Sequence, residues 1–134
     1  MVDYPDGVQV VQVAVTVEGL PVIPQPATEV PAGDVGRYSG TSTSYQSVAS
    51  WTVATDKQGK LKEVALRSSN YAKTLWKLVI GATTFMTDVT VGGALTLPFS
   101  DLSLAAGDTV TLSAKSSDGT TITADGAIAG EELG

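Results

Sequence analysis

The chain has 134 residues, of which 43% are hydrophobic and 16% are charged, and it contains neither cysteine nor histidine. This length suits one domain with a core of its own, and the missing residue types exclude disulfides, thiolate metal sites, cysteine nucleophiles and Ser-His-Asp catalysis. The net charge of −6 argues against nucleic acid as a partner, because phosphate contacts need clustered Lys and Arg.

A first strand is predicted near the N-terminus, where apolar and polar residues alternate. Four valines share one parity and are separated by Gln12, Ala14 and Thr16, which is the period-two pattern of a strand with one buried face. These valines are Val11, Val13, Val15 and Val17. Val8 and Val10 fall on the opposite parity, so we expect a β-bulge where the two sets meet.

A proline-rich stretch follows this strand. Four of the six prolines lie close together, at positions 21, 24, 26 and 31. Because proline lacks an amide proton and fixes φ, we expect this stretch to lie outside any sheet, as an extended and semi-rigid linker. Residues 1–43 are therefore predicted to form an N-terminal arm with one strand and a proline-rich linker, and residues 44–134 to form the compact domain.

The compact domain is predicted to consist of short strands separated by turns. Apolar residues recur with period two in five of its segments, and we expect these residues to face the core. They are Tyr45, Ala49, Trp51 and Val53; Val64 and Leu66; Trp76, Leu78 and Ile80; Val110, Leu112 and Ala114; and Ile122, Ala124 and Ile128. Shorter strands are predicted around Phe85 and over residues 94–97, and residues 98–105 are predicted to be a partly ordered connection.

The two strands nearest the C-terminus are predicted to form a β-hairpin. Asp118-Gly119 separates them, and this pair accepts the positive φ that tight hairpin turns need. About seven short strands at roughly even spacing indicate an all-β fold. We expect a single antiparallel β-sandwich, jelly-roll-like, preceded by the extended arm and almost without helix.

Charge is distributed unevenly along the chain. Residues 1–36 carry −5, residues 37–77 carry +5 and residues 78–134 carry −6. One interpretation is ordinary variation of a solvated surface. The alternative is that the acidic arm meets the basic segment of a neighbouring copy.

The acidic residues do not indicate an active site. Several of them adjoin turn glycines, among them Asp6, Asp108, Asp118 and Asp125, where aspartate is favoured by the turn itself. Only oxygen ligands are available, and no calcium-loop spacing is present. Gly92-Gly93 leads into a strand without the helix or lysine of a phosphate cradle. We therefore expect no enzymatic activity, no catalytic residues, no metal and no cofactor.

The aromatic residues are the remaining candidates for binding a sugar or another protein chain. Trp51 and Trp76 are in phase with aliphatic residues, which favours core packing over a sugar-stacking platform. Tyr71 falls in a loop, and Tyr4 and Tyr38 fall in the arm, where an aromatic side chain can anchor into another chain. Together with the first strand these give the candidate protein-contact residues: Tyr4, Val11, Val13, Val15, Val17, Tyr38 and Tyr71.

No stretch of the sequence approaches the ~18 apolar residues of a membrane-spanning segment. The N-terminus lacks the basic and apolar regions of a signal peptide. We therefore expect synthesis in a cytoplasm and no membrane partner.

From Trp51 to the C-terminus the chain carries a set of short motifs. They are Gly59-Lys60-Leu61, Leu95-Thr96-Leu97-Pro98-Phe99, Leu102-Ser103-Leu104-Ala105-Ala106-Gly107-Asp108-Thr109-Val110, Asp118-Gly119-Thr120 and Gly130-Glu131-Glu132-Leu133. This part of the chain resembles the small β-sandwich virion proteins of tailed bacteriophages, above all the capsid decoration proteins, also called cement or auxiliary head proteins.

The resemblance implies a role and no particular site residues. It implies homotrimers on the outer surface of a bacteriophage capsid, where arms and edges hold neighbouring capsomers. The implied partners are other copies of this chain and the major capsid protein, and the implied location is the virion, after synthesis in the host cytoplasm. Two alternatives stay open, namely a carbohydrate-binding or receptor-binding module, and a head-fibre or tail component.

Overall fold

Residues 29–134, described by a computed structural model, form two four-stranded antiparallel sheets packed face to face. The strands are β1 (Glu29–Gly40), β2 (Gln46–Thr52), β3 (Gln58–Ser68), β4 (Thr74–Ile80), β5 (Thr83–Val89), β6 (Leu95–Leu104), β7 (Thr109–Ser116) and β8 (Ile122–Leu133). Helix is limited in these residues to a three-residue 3-10 turn, Tyr71–Lys73. The predicted antiparallel β-sandwich is confirmed. Within this part of the chain no helix has the length and apolar character needed to cross a membrane.

The strand order is that of an eight-stranded jelly roll. The first sheet has the order β1-β8-β3-β6 and the second has the order β2-β7-β4-β5. The chain changes sheet at every connection except one, because only β4 and β5 pair with each other directly. Gly81, with a φ of 60°, makes the turn of that single hairpin.

The core lies between the two sheets and contains the predicted faces. Its buried apolar side chains are Val48, Ala49, Trp51, Val53, Leu61, Val64, Leu66, Trp76, Leu78, Leu104, Val110, Leu112, Ala114, Ile122, Ala124 and Ile128. Full burial of one such large side chain stabilises the fold by about 1.5–3 kcal/mol. Tyr45 departs from the prediction: a register shift between Ser47 and Ala49 buries Val48 and Ala49 together and leaves Tyr45 half-buried.

The predicted boundary between arm and domain, after residue 43, is wrong. β1 pairs with β8 over its whole length, from Glu29 opposite Leu133 to Gly40 opposite Ile122, so residues 29–40 belong to the sandwich. Pro31 is accommodated because β1 is an edge strand, where one side of the backbone forms no ladder. The predicted first strand, Tyr4 and the other three prolines of the stretch lie outside the described residues.

The same physical reason corrects the prediction for residues 98–105. β6 is one continuous strand that includes Pro98, which lies opposite Glu63 of β3. β6 is the other edge strand of the first sheet, where proline is tolerated, and its register with β3 shifts between Pro98 and Leu102.

The predicted hairpin at Asp118-Gly119 is also wrong, although the turn itself forms. Gly119 has the expected positive φ, 89°, but β7 and β8 belong to different sheets. The Ser116 hydroxyl spans the loop, because its Oγ donates to the carbonyl of Thr120 (2.7 Å) and accepts from the amide of Gly119 (3.0 Å). The loop therefore closes through a side chain, and the two strands face each other across the core.

Candidate functional site: an apolar cleft at one edge of the sandwich

The sandwich is closed along the side where β1 faces β2. Asp34 of β1 accepts a hydrogen bond from the backbone amide of Ser50 in β2, with 2.9 Å between Oδ2 and N. Gly36 lies so close to β2 that a Cβ atom there would stand 2.0 Å from the carbonyl oxygen of Val48. This close approach leaves no room between the sheets for a ligand.

The opposite side, where β5 faces β6, is open. A cleft of about 520 Å³ lies there, lined by Ile80, Phe85, Phe99, Leu102, Leu104 and Asp108 among others. Phe85 of β5 meets Phe99 of β6 edge to face, with 5.2 Å between the ring centroids. Even so, Phe85 is 53% exposed and Leu102 is 42% exposed. The cleft therefore presents apolar surface to solvent along an edge of the domain.

The backbone of β5 adds a second feature to this cleft. Among residues 29–134, β5 pairs with β4 alone, so its outer side offers unpaired amides and carbonyls. Its seven residues include neither lysine nor proline, which are common protections of an exposed edge, although Asp88 is charged and the register with β4 shifts on either side of Met86. An exposed apolar cleft beside an open strand edge is suited to binding an extended protein segment.

Asp88 is bound to the body of the domain through Tyr45. The Tyr45 hydroxyl donates to Oδ1 of Asp88 and accepts from the Asp88 backbone amide (2.8 Å). Burial and the bond to Asp88 raise the pKa of Tyr45, and the Tyr45 bond lowers the pKa of Asp88. The Nζ atom of Lys115 lies 4.4 Å from the centroid of the Tyr45 ring. One face of this ring is thus occupied, which removes Tyr45 from a sugar-stacking platform.

The outer face of the first sheet is covered by ion pairs rather than by a site. Arg37 and Arg67 both bind Asp125, at 2.6 Å and 3.2 Å from their Nε atoms. The bond from Arg37 is the main cause of the lowered pKa of Asp125. Both guanidinium groups are largely exposed, at 62% and 66%, and exposed pairs of this kind contribute little to stability.

These ion pairs bear on the uneven charge of the sequence. Five of the seven basic residues in the +5 segment bind acidic residues of the same chain. Four of the five bind acids from residues 78–134, and Lys60 binds Glu29. The basic segment is therefore largely neutralised within its own domain, which favours the interpretation of a solvated surface over that of charged contacts between copies.

Asp108 and Asp118 act as the turn interpretation predicts, whereas the prediction of a turn at Asp125-Gly126 is wrong, because both residues lie within β8 and pair with its neighbouring strands. Asp108 accepts from the amide of Ala105 (2.9 Å), and Asp118 accepts from the amide and the hydroxyl of Thr120. Lys73 also binds Asp118, at 2.7 Å. Among residues 29–134, no group of three or more acidic side chains is placed to hold a metal ion.

Two of the predicted contact residues lie in the described part of the chain. Tyr38 packs against the core of its own domain, and its hydroxyl accepts from the amide of Ser42 (2.9 Å), so it is not part of a free arm. Tyr71 is half-buried in the 3-10 turn. Tyr4, Val11, Val13, Val15 and Val17 lie outside the described residues.

The cleft was not predicted from the sequence. Phe85 and Phe99 stand fourteen positions apart on strands of different sheets, and only the jelly-roll topology brings them together. A signal was nevertheless present, because Phe85 is the one aromatic residue of a short threonine-rich strand that lacks a clear buried face.

Comparison with protein-family models, with curated proteins and with solved structures finds no match to this chain. Its function is therefore argued from the residues and the fold.

Proposed function

We propose that this protein is a structural component of a bacteriophage virion, which decorates and stabilises the capsid by binding its outer surface as an oligomer, most simply a homotrimer. The observation that carries the proposal is the open edge of the jelly roll. An apolar cleft with the exposed side chains of Phe85 and Leu102 adjoins an edge strand whose outer side forms no pairing among residues 29–134, which is a surface for protein segments. The sequence resemblance to capsid decoration proteins supplies the phage context.

The chemistry of the described residues supports a role in binding without catalysis. Carboxylates of the described residues take part in turns or in ion pairs. Asp118 accepts a hydrogen bond from the amide of Thr120, and Asp125 binds Arg37. The cleft is lined mainly by apolar side chains, with Asp108 as its acidic member, and that residue already holds a turn. We therefore propose that the protein binds the major capsid protein and copies of itself, and that it is not an enzyme.

Carbohydrate binding has less support. Trp51 and Trp76 are 5% and 0% exposed, so neither can form a stacking platform. Tyr45 is covered by Lys115, and Tyr71 is half-buried. Loss of glycan-array binding on Tyr71→Ala, with the fold retained, would favour this alternative over the capsid role.

The proposal is tested by locating the protein in purified phage particles. Electron microscopy of particles from the phage that encodes this chain, with a tag fused to Gly134, is expected to place the density on the outer surface of the head. Density on the tail or on a fibre would replace the proposal with the corresponding alternative, and absence from the particle would refute it.

A further inference from the structure

The open edge of β5 restricts the length and the side-chain pattern of a strand that could bind there. β5 extends over seven residues, Thr83–Val89, its register with β4 shifts on either side of Met86, and the cleft lies on its core side. An added strand can therefore be at most about seven residues long. One of its faces must be apolar toward Phe85, Phe99 and Leu102, and its other face must be polar.

The chain contains one segment with this pattern outside the described residues. Residues 11–17 read Val-Gln-Val-Ala-Val-Thr-Val, so a strand formed by them would place four valines on one face and Gln12, Ala14 and Thr16 on the other. The whole of residues 8–17 is uncharged. This segment can therefore enter an apolar cleft without the cost of removing a charge from water.

The outer face of the second sheet matches the polar face of that segment. One cross-sheet row runs from Ser50 of β2 through Thr111 of β7 and Val79 of β4 to Thr84 of β5. A strand added beside β5 would extend this row with a glutamine or threonine. Its valines would at the same time cover the exposed rings at the mouth of the cleft.

We propose that residues 11–17 of one copy bind along β5 of a neighbouring copy, as a fifth strand of the β2-β7-β4-β5 sheet. This inference rests on the proposed oligomer and identifies the contact that builds it. The driving force is backbone pairing together with burial of valine, Phe85 and Leu102 surface.

The length of the connecting chain permits this arrangement. Residues 18–28 separate the valine segment from Glu29, where β1 begins, and they span up to ~36 Å at ~3.3 Å per residue. β1 and β6 lie at opposite edges of the first sheet, about 14 Å apart for three strand spacings of ~4.8 Å. Because proline fixes φ, we expect prolines 21, 24 and 26 to stiffen the connection, which favours a neighbouring copy over a return around the chain's own domain.

Cysteine crosslinking tests this contact directly, because the natural chain contains no cysteine. One preparation carries Gln12→Cys, on the face of the added strand that would extend the row of Thr84, and a second carries Thr84→Cys. The two are mixed and treated with a short bismaleimide. Variants Ala14→Cys and Thr16→Cys allow for a shift in register. The matched control replaces Thr84→Cys with Ser50→Cys, which lies at the far end of the same cross-sheet row.

With Thr84→Cys we expect a covalent dimer of the two different chains. Its yield should be about tenfold higher than the yield with Ser50→Cys, because a specific contact holds the two cysteines together whereas random collision does not. Equal yields would overturn the inference. It would also be overturned if the double variant Gln12→Cys/Thr84→Cys crosslinked only within single chains, because that result places the segment on its own domain.

The crosslinking experiment and the test of the proposed function can fail independently of each other. Protein that decorates heads but forms no crosslink at β5 would refute the strand contact and leave the capsid role intact. Protein that forms the crosslinked dimer but is absent from particles would refute the capsid role and leave the strand contact intact.

Discussion

At the scale of single residues, the two core tryptophans differ in how their indole N–H groups are satisfied. Nε1 of Trp51 donates to Oε2 of Glu132 at 3.0 Å, whereas Nε1 of Trp76 is buried without an acceptor among residues 29–134. Both side chains lose the same atoms on substitution by phenylalanine. The difference between the losses of unfolding free energy in the two variants therefore measures the contribution of the hydrogen bond between Trp51 and Glu132.

We expect Trp51→Phe to lower the free energy of unfolding by about 1.5–3 kcal/mol more than Trp76→Phe. That is the usual contribution of a hydrogen bond to a charged group, and Trp76→Phe also removes an unsatisfied buried donor. Urea unfolding of both variants measures the difference. A greater loss for Trp76→Phe would contradict this assignment.

Asp118 makes stability sensitive to acid. The bond from Lys73, followed by the bonds from the side chain and backbone of Thr120, holds the pKa of Asp118 well below its ordinary value of 3.8. A carboxylate with a lowered folded pKa stabilises the fold above its unfolded pKa, and this contribution is lost as the pH falls through the folded value. Asp88, Asp101 and Asp125 have pKa values lowered in the same direction.

We therefore expect the thermal midpoint of the protein to fall as the pH drops below about 4. The Asp118→Asn variant should be less stable at neutral pH and should lose less over that acid range. Calorimetry at a series of pH values compares the two proteins. Identical acid losses in both would show that Asp118 does not contribute to the acid transition.

At the scale of elements, the approach of β1 to β2 depends on a residue without a side chain. A Cβ atom at Gly36 would meet the carbonyl oxygen of Val48 at 2.0 Å, and a backbone group cannot rotate away. Gly92 is a natural control, because a Cβ there would have no atom within 4 Å.

We expect Gly36→Ala to reduce the free energy of unfolding by about 1–3 kcal/mol, the usual cost of overpacking. Gly92→Ala should change it by less than about 0.5 kcal/mol, as open surface positions do. Denaturant unfolding checks both variants. Equal effects would mean that the contact between β1 and β2 does not constrain the fold.

The elements also show which parts of the fold are readable from the sequence. The face of β7 was predicted correctly because buried residues such as Leu112 alternate with polar residues such as Ser113 and Lys115, and alternation is local. Pro31 and Pro98 misled the prediction because a proline is compatible with an edge strand, and edges are defined only by the partners. The turn at Gly119 forms as predicted, but a turn alone does not determine whether the two strands that it connects pair with each other. Here β7 and β8 lie in different sheets.

The candidate site was harder to predict for a related reason. Phe85 and Leu102 belong to strands whose neighbours are set by the jelly-roll order, and that order depends on connections between sheets. No local pattern encodes which edges face each other. The valine segment at residues 11–17 was visible in the sequence, but the edge that suits it was not.

At the scale of the whole molecule, the position of β1 determines where the arm can be removed. Deletion of residues 1–36 would remove eight residues of β1 that pair with β8, and would damage the sandwich itself. Deletion of residues 1–28 leaves every described strand intact.

We expect the 29–134 fragment to keep the β-sheet circular dichroism spectrum and to sediment as a monomer at roughly tens of micromolar, a concentration at which we expect the full chain to form the proposed oligomer through an interface of ordinary size. The reason is that the valine segment needed for the contact at β5 is gone. An assembled fragment, or a monomeric full chain, would contradict the role given to the arm.

The capsid role is tested most directly by the stability of phage heads with and without the protein. Heads from a phage that lacks the gene for this chain are heated with a DNA-binding dye, alone, with added full-length protein, and with the 29–134 fragment. The account predicts that full-length protein raises the temperature of DNA release and that the fragment raises it less. An unchanged release temperature with full-length protein present would contradict the claim that this jelly roll stabilises a capsid.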